Sequence, residues 1–127
     1  MIAANRIHEG LNAGVFVHGP GTVGRLESNK IWKNRLSNVI IAGGAQPCLI
    51  ANEIWGSGRG IVVDSGGDPF LSGNTIRDHA GANGRGVFVS RTSHGLATIL
   101  PDNVFLRNEG GDVFRQPPAP APVVNGG

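Results

Sequence analysis

The chain has little charge, few aromatic residues and a single cysteine. Charged residues make up 16% and aromatic residues 6% of its 127 residues. One cysteine, Cys48, excludes an internal disulfide framework and a cysteine zinc site. No apolar run approaches the roughly 18 residues of a membrane helix. No signal peptide is expected, since no basic segment followed by an apolar stretch opens the sequence. It also lacks an Asn-x-Ser/Thr acceptor, so an intracellular location is favoured over secretion. A net charge of +2 is too small an excess to imply nucleic-acid binding. Neither a membrane nor a nucleic acid is therefore an expected partner. What the chain has in excess is glycine, 21 residues of 127, well above the usual roughly 7%. No G-X-Y period accompanies it, which excludes collagen, and apolar clusters between the glycines argue against disorder.

Those clusters repeat. Asparagine recurs two residues before a large apolar residue in Asn5-Arg6-Ile7, Asn29-Lys30-Ile31, Asn52-Glu53-Ile54, Asn74-Thr75-Ile76 and Asn103-Val104-Phe105, at spacings of 24, 23, 22 and 29. A second register keeps step: Gly14-Val15-Phe16-Val17, Asn38-Val39-Ile40-Ile41, Gly60-Ile61-Val62-Val63 and Gly86-Val87-Phe88-Val89. A third is leucine three residues before each later asparagine, at Leu26, Leu49, Leu71 and Leu100. Leucine-rich repeats have a similar period but a denser leucine pattern. Helical repeats would tolerate this much glycine poorly, at roughly 1 kcal/mol per interior position. β-Branched triplets between glycine turns favour short strands instead. The expected fold is all-β, a right-handed parallel β-helix of about four coils with 22–24 residues per coil, spanning residues 1–115. Coils stack about 4.8 Å apart. Ile7, Ile31, Ile54, Ile76 and Phe105 should form one inward column, and the four leucines another.

The repeat is interrupted twice. Ile76 to Gly86 is 10 residues where matching intervals are 7, 7 and 6, and Val89 to Leu100 is 11 where they are 9, 8 and 8. Asp78–Arg85 and Arg91–Ala97 are thus enlarged loops, and insertions on one face of a solenoid often form its binding surface. From Gln116 to Gly127 a Pro/Ala-rich tail cannot continue a parallel sheet, because proline lacks the donor. With few coils and no capping segment, the expectation is a piece of a longer solenoid or association through open strand ends.

The segments NRIHEGLNAGVFVHGPGTVGRLESNKIWKNRLSNVII and NEIWGSGRGIVVDSGGDPFLSGNTI resemble parallel β-helix repeats of the carbohydrate-binding and sugar-hydrolase type. Within that group they are most similar to the β-helical region of the F-box-only proteins, substrate-recognition subunits of certain ubiquitin ligases. The shared pattern is N-x-I followed by an aromatic residue or His, then G-V-x-V, a G-x-G or N/D-P turn, and L-x-x-N, over roughly residues 2–115. The resemblance implies a β-helix and the recognition of a protein substrate. No helical F-box segment accompanies it here.

Several groups are candidate sites. The asparagine column is best read as a structural ladder of stacked amides. The residue after each inward isoleucine forms a second column, His8, Trp32, Trp55 and Arg77, whose stacked tryptophans suit a sugar ring or a peptide. The alternative is that these aromatics seal a corner. Outward positions of the second register are Phe16, Ile40, Val62 and Phe88. An apolar stripe there calls for a covering element, a partner or self-association. Gly19-Pro20-Gly21-Thr22-Val23-Gly24 matches G-x-G-x-x-G but leads into another strand, so no helix N-terminus awaits a phosphate. Catalysis on sugars would need two converging carboxylates or acids gathered round Ca²⁺. Asp64, Asp68 and Arg59 read instead as turn and solvent residues, and Cys48 as a small packing residue. No catalytic residue, cofactor or metal site is expected. The leading functional expectation is a noncatalytic binding or scaffold module for a protein. A carbohydrate-active or carbohydrate-binding β-helix and a self-assembling structural solenoid are the alternatives.

Overall fold

The computed structural model describes residues 1–118, and within them the chain winds through five coils of three short strands each. The first sheet is β1 (Ile2–Ala3), β4 (Val23–Glu27), β7 (Gln46–Ile50), β10 (Phe70–Ser72) and β13 (Thr98–Ile99). The second is β2 (Arg6–His8), β5 (Lys30–Trp32), β8 (Glu53–Trp55), β11 (Thr75–Arg77) and β14 (Val104–Leu106). The third is β3 (Val15–His18), β6 (Ser37–Ala42), β9 (Arg59–Val63), β12 (Val87–Val89) and β15 (Val113–Arg115). In each sheet the strands pair in parallel with their counterparts one coil away. One 3-10 turn, Arg91–Ser93, is the only other regular element among the described residues.

The expected solenoid is therefore present, with five coils where about four were expected. The fifth escaped notice because Asp112-Val113-Phe114-Arg115 carries the third-strand pattern with Asp in place of Gly and Arg in place of Val. Val113 and Phe114 nevertheless pair with Val87 and Phe88. A second correction concerns the leucine column. Ile2, Leu26, Leu49 and Leu71 are continued by Ile99 and not by Leu100. Pro101 and Asp102 form a turn between this strand and Asn103, which moves the inward position back by one residue. Of the proline-rich tail expected from Gln116, residues 119–127 lie outside the described residues.

Two inward columns and the third-strand pairs fill the interior. Ile31, Ile54, Ile76, Leu49, Leu71, Ile41, Ile61 and Val63 have no exposed surface. Each such Ile or Leu contributes roughly 1.5–3 kcal/mol through burial. Because each strand pairs with its counterparts in the neighbouring coils, the register of one coil fixes that of the next.

Both corners flanking the second sheet are built alike. A single residue in the left-handed region turns the chain, and beyond the first coil a buried polar residue follows it. At the first corner the turning residues are Ala4, Ser28, Ala51 and Gly73, with φ of 53°, 56°, 55° and 65°. At the second they are Glu9, Lys33, Gly56, Asp78 and Arg107, with φ between 51° and 73°. Only the two glycines adopt this conformation cheaply; an L side chain costs roughly 1–2 kcal/mol there. The bonds made by the next residue offset that cost. At the first corner it is always asparagine. Asn29 Nδ2 donates to Asn52 Oδ1 at 3.1 Å, Asn52 to Asn74 at 3.0 Å and Asn74 to Asn103 at 3.0 Å. The same amide nitrogens reach the carbonyls of Ile2, Leu26 and Leu49, each at 2.9 Å. The column is thus a ladder that satisfies buried backbone groups.

Candidate functional site

The outer face of the third sheet carries the apolar stripe. Phe16, Ile40, Val62, Phe88 and Phe114 stand in one row, each paired with the next. Phe16 is 59% exposed and Phe114 36%, and the three between them are half-buried. Phe88 and Phe114 stack at 5.7 Å. No strand or helix among the described residues covers this row.

Beside the stripe stand two arginines. Arg59 and Arg85 each precede by two residues the paired Ile61 and Val87, so they occupy adjacent rungs. The guanidinium carbon of Arg59 lies 4.3 Å from the centre of the Phe88 ring. That of Arg85 lies 3.8 Å from Phe114 and 5.5 Å from Phe88. Among the described residues, no carboxylate lies within ion-pair distance of either. Arg85 Nε is moreover buried without a hydrogen-bond partner. Next to them a trough of about 570 Å³ is lined by Leu36, Ile40, Arg59 and Val62, with Ala80–Asn83 as one wall. That wall belongs to the enlarged loop Asp78–Arg85. It is braced by the following coil, where Glu109 Oε2 accepts from Gly81 N at 2.7 Å and Gly110 N donates to Gly84 O at 3.0 Å.

The outer face of the second sheet is organised differently. His8, Trp32, Trp55 and Arg77 occupy one column, as the sequence pattern requires. His8 stacks on Trp32 at 4.3 Å and Trp32 on Trp55 at 4.9 Å, nearly parallel. Arg77 lies 4.8 Å from Trp55. Each indole therefore has a neighbour against both faces, and both tryptophans are half-buried. Arg77 is itself fully engaged, donating at 2.7 Å to Glu53 and at 2.7 Å to Asp78. Asp78 also accepts from Arg107 at 2.6 and 3.1 Å. Arg107 and Arg77 together hold the Asp78 carboxyl far below its ordinary pKa.

Other acids are tied into turns. Asp64 accepts from Ser90 Oγ at 2.6 Å, Thr92 Oγ1 at 2.7 Å and Ser65 N at 2.8 Å. The two hydroxyls lower its pKa. Asp68 accepts from Ala97 N at 2.8 Å, and Asp102 from Ser72 Oγ at 2.7 Å. The first of these bonds secures the second enlarged loop. Among the described residues no three His, Cys, Asp or Glu side chains gather to hold a metal ion.

One buried group has no counterpart in the sequence reading. At the second corner the residue following the turn is Gly10, then the polar Asn34, Ser57, His79 and Asn108, always five residues after an asparagine of the first corner. His79 is fully buried. Its Nδ1–H donates to Asn108 Oδ1 at 2.6 Å, because the Asn108 amide nitrogen donates to Ile76 O. Its Nε2 accepts from Asn38 Nδ2 at 3.3 Å, while Asn38 Oδ1 accepts from Ser57 Oγ at 2.6 Å and Asn34 Nδ2 at 3.0 Å. Burial lowers the His79 pKa, so the ring is held neutral. Arg85, Phe114 and His79 were missed because none stands in an exact repeat. Shared offsets, two residues before Ile61 and Val87 for the arginines, were the available signal.

No curated protein and no solved structure matches this chain. Residues 1–116 match the family described as right handed beta helix region. With that match covering all five stacked coils, the chain belongs to the right-handed β-helix family.

Proposed function

We propose that this chain is a noncatalytic binding and scaffold module that recognises a protein through the outer face of its third sheet. A β-helix is consistent with a binding or scaffold role in general, and the finer reading rests on one observation. An apolar row, Phe16–Ile40–Val62–Phe88–Phe114, runs across all five coils with no element over it among the described residues. Parallel sheets are ordinarily covered on both faces, and an uncovered apolar patch of this kind marks an interaction surface. The turn-bound acids Asp64, Asp68 and Asp102 support the same reading, since each already serves a loop. The resemblance to the β-helical region of F-box-only proteins points to a protein as the partner.

The second-sheet column of His8, Trp32, Trp55 and Arg77 serves in this reading as a brace between coils. A sugar ring stacks on an aromatic face, and these faces are already occupied, which weighs against the carbohydrate alternative.

The test is a displayed library of protein fragments selected on the wild-type chain, with binders then compared on Val62→Asp. Binders that lose affinity for the variant are expected. Binders indifferent to Val62→Asp, or release of reducing ends from a panel of polysaccharides, would overturn the proposal. Light scattering across a concentration series, with Phe16→Asp and Phe88→Asp, decides a further point. A homodimer that these substitutions dissociate would replace a foreign partner with a second copy of the chain.

A further inference from the structure

We infer that the segment taken by the third-sheet face is an acidic, aliphatic stretch of a partner protein, with its carboxylate held between Arg59 and Arg85. This rests on the reading of that face given above and adds the chemistry of what it takes.

Two like charges on adjacent rungs repel, and cross-strand pairs of this kind are normally balanced by an acid. Arg77 has Glu53 and Asp78, and Arg107 has Asp78, while Arg6 and Lys30, also paired and without an ion pair, stand exposed to solvent. Among the described residues Arg59 and Arg85 have no such partner, although both guanidinium carbons lie within 5.5 Å of the centre of one ring, that of Phe88. Resting on phenylalanine faces, they are partly desolvated, which strengthens their attraction for an incoming anion. Their planar forks suit carboxylates, and the two stand on adjacent rungs beside one ring. Arg85 Nε is moreover buried and unpartnered.

The rest of the surface decides between kinds of anion. The trough beside Arg59 has Leu36, Ile40 and Val62 in its lining, and its volume of about 570 Å³ falls within the range of ligand clefts. A phosphate or a uronate chain would dehydrate that apolar lining without filling it. A peptide with Leu, Ile or Phe beside Asp or Glu satisfies both halves at once. A second copy of this chain fits poorly, because a two-fold contact would bring four arginines together.

A displayed random-peptide library selected on the wild-type chain tests this. Selected peptides are synthesised and titrated by fluorescence anisotropy. Titrations use the wild type, the Arg59→Gln/Arg85→Gln double variant, Val62→Asp and Ile40→Ser, with folding of each checked by thermal unfolding. Ile40→Ser stands in if Val62→Asp does not fold. The expected result is enrichment of Asp or Glu next to aliphatic residues. Affinity should fall about tenfold or more on the double variant and decline with salt. Acid-free peptides that need Val62 but not the arginines would overturn the acidic partner and leave the binding face standing. Peptides indifferent to every variant, or no enrichment, would overturn both. Tighter, arginine-dependent binding of heparin or polygalacturonate would replace the peptide with a polyanion.

Discussion

The outer faces of the second and third sheets are made of the same materials and put them to opposite uses. Each carries stacked aromatic rings with arginines against them. On the second sheet the arginine against the tryptophans is balanced within the molecule, with Arg77 between Glu53 and Asp78, and Arg107 also on Asp78. Its tryptophans cover one another's faces. On the third sheet Arg59 and Arg85 stand on adjacent rungs with no ion-pair acid among the described residues, next to an apolar row and a trough. A surface that satisfies itself holds the solenoid together, whereas one left unsatisfied is suited to a partner. Aromatic content alone therefore does not identify the binding face.

Substitutions should separate the two faces. The largest effect on stability is expected at Trp55, which packs on Trp32 and Arg77. Trp55→Ala should destabilise the fold by about 2–3 kcal/mol, read from the urea midpoint, without changing the affinity of a third-sheet binder. Arg59→Gln/Arg85→Gln should do the reverse. Binding should weaken about tenfold, near 1.4 kcal/mol, while stability stays within about 0.5 kcal/mol or rises slightly as repulsion is relieved.

Acidification probes the corner between the faces. His79 is neutral in the fold and has a pKa below that of the unfolded chain, so the unfolded state binds the proton first. Stability should then fall as pH drops below about 6.5, by up to roughly 1.4 kcal/mol per unit. A protonated ring would also turn an Nε2–H toward the Asn38 amide donors. His79→Gln should flatten that slope in chemical-denaturation curves taken between pH 7 and 5. The groups facing His79 are the neutral Asn38 and Asn108, with Asp78 the charge that opposes the shift. The smallest effect is expected at Arg77→Gln. Its partly exposed ion pairs should contribute about 0.5–1 kcal/mol, and high salt should shrink the difference.

How much of this could be read from the sequence depended on identity between repeats. The asparagine ladder was legible because the same residue does the same work at each first corner, and an amide can both donate and accept along the stack. The second corner was not, because Gly10, Asn34, Ser57, His79 and Asn108 fill equivalent positions with different chemistry. Side-chain hydrogen-bonding capacity is shared by the four after Gly10, and residue type is not. The leucine column failed at its last step, where the Pro101–Asp102 turn shifted the inward position to Ile99. The column of His8, Trp32, Trp55 and Arg77 followed from register. That its ring faces are turned toward one another is a matter of side-chain rotation, which spacing does not encode. The unpaired state of Arg59 and Arg85 depends on what the other coils place nearby, and only the folded arrangement supplies that.

The most direct test of the third sheet as the working surface is hydrogen–deuterium exchange on the chain with a selected binder in place. Protection should rise in residues 36–42, 59–63 and 80–88, around the trough and the two arginines. Protection concentrated instead at residues 30–33, 53–56 and 75–78, along the tryptophan column, would contradict that assignment and make the second sheet the binding face.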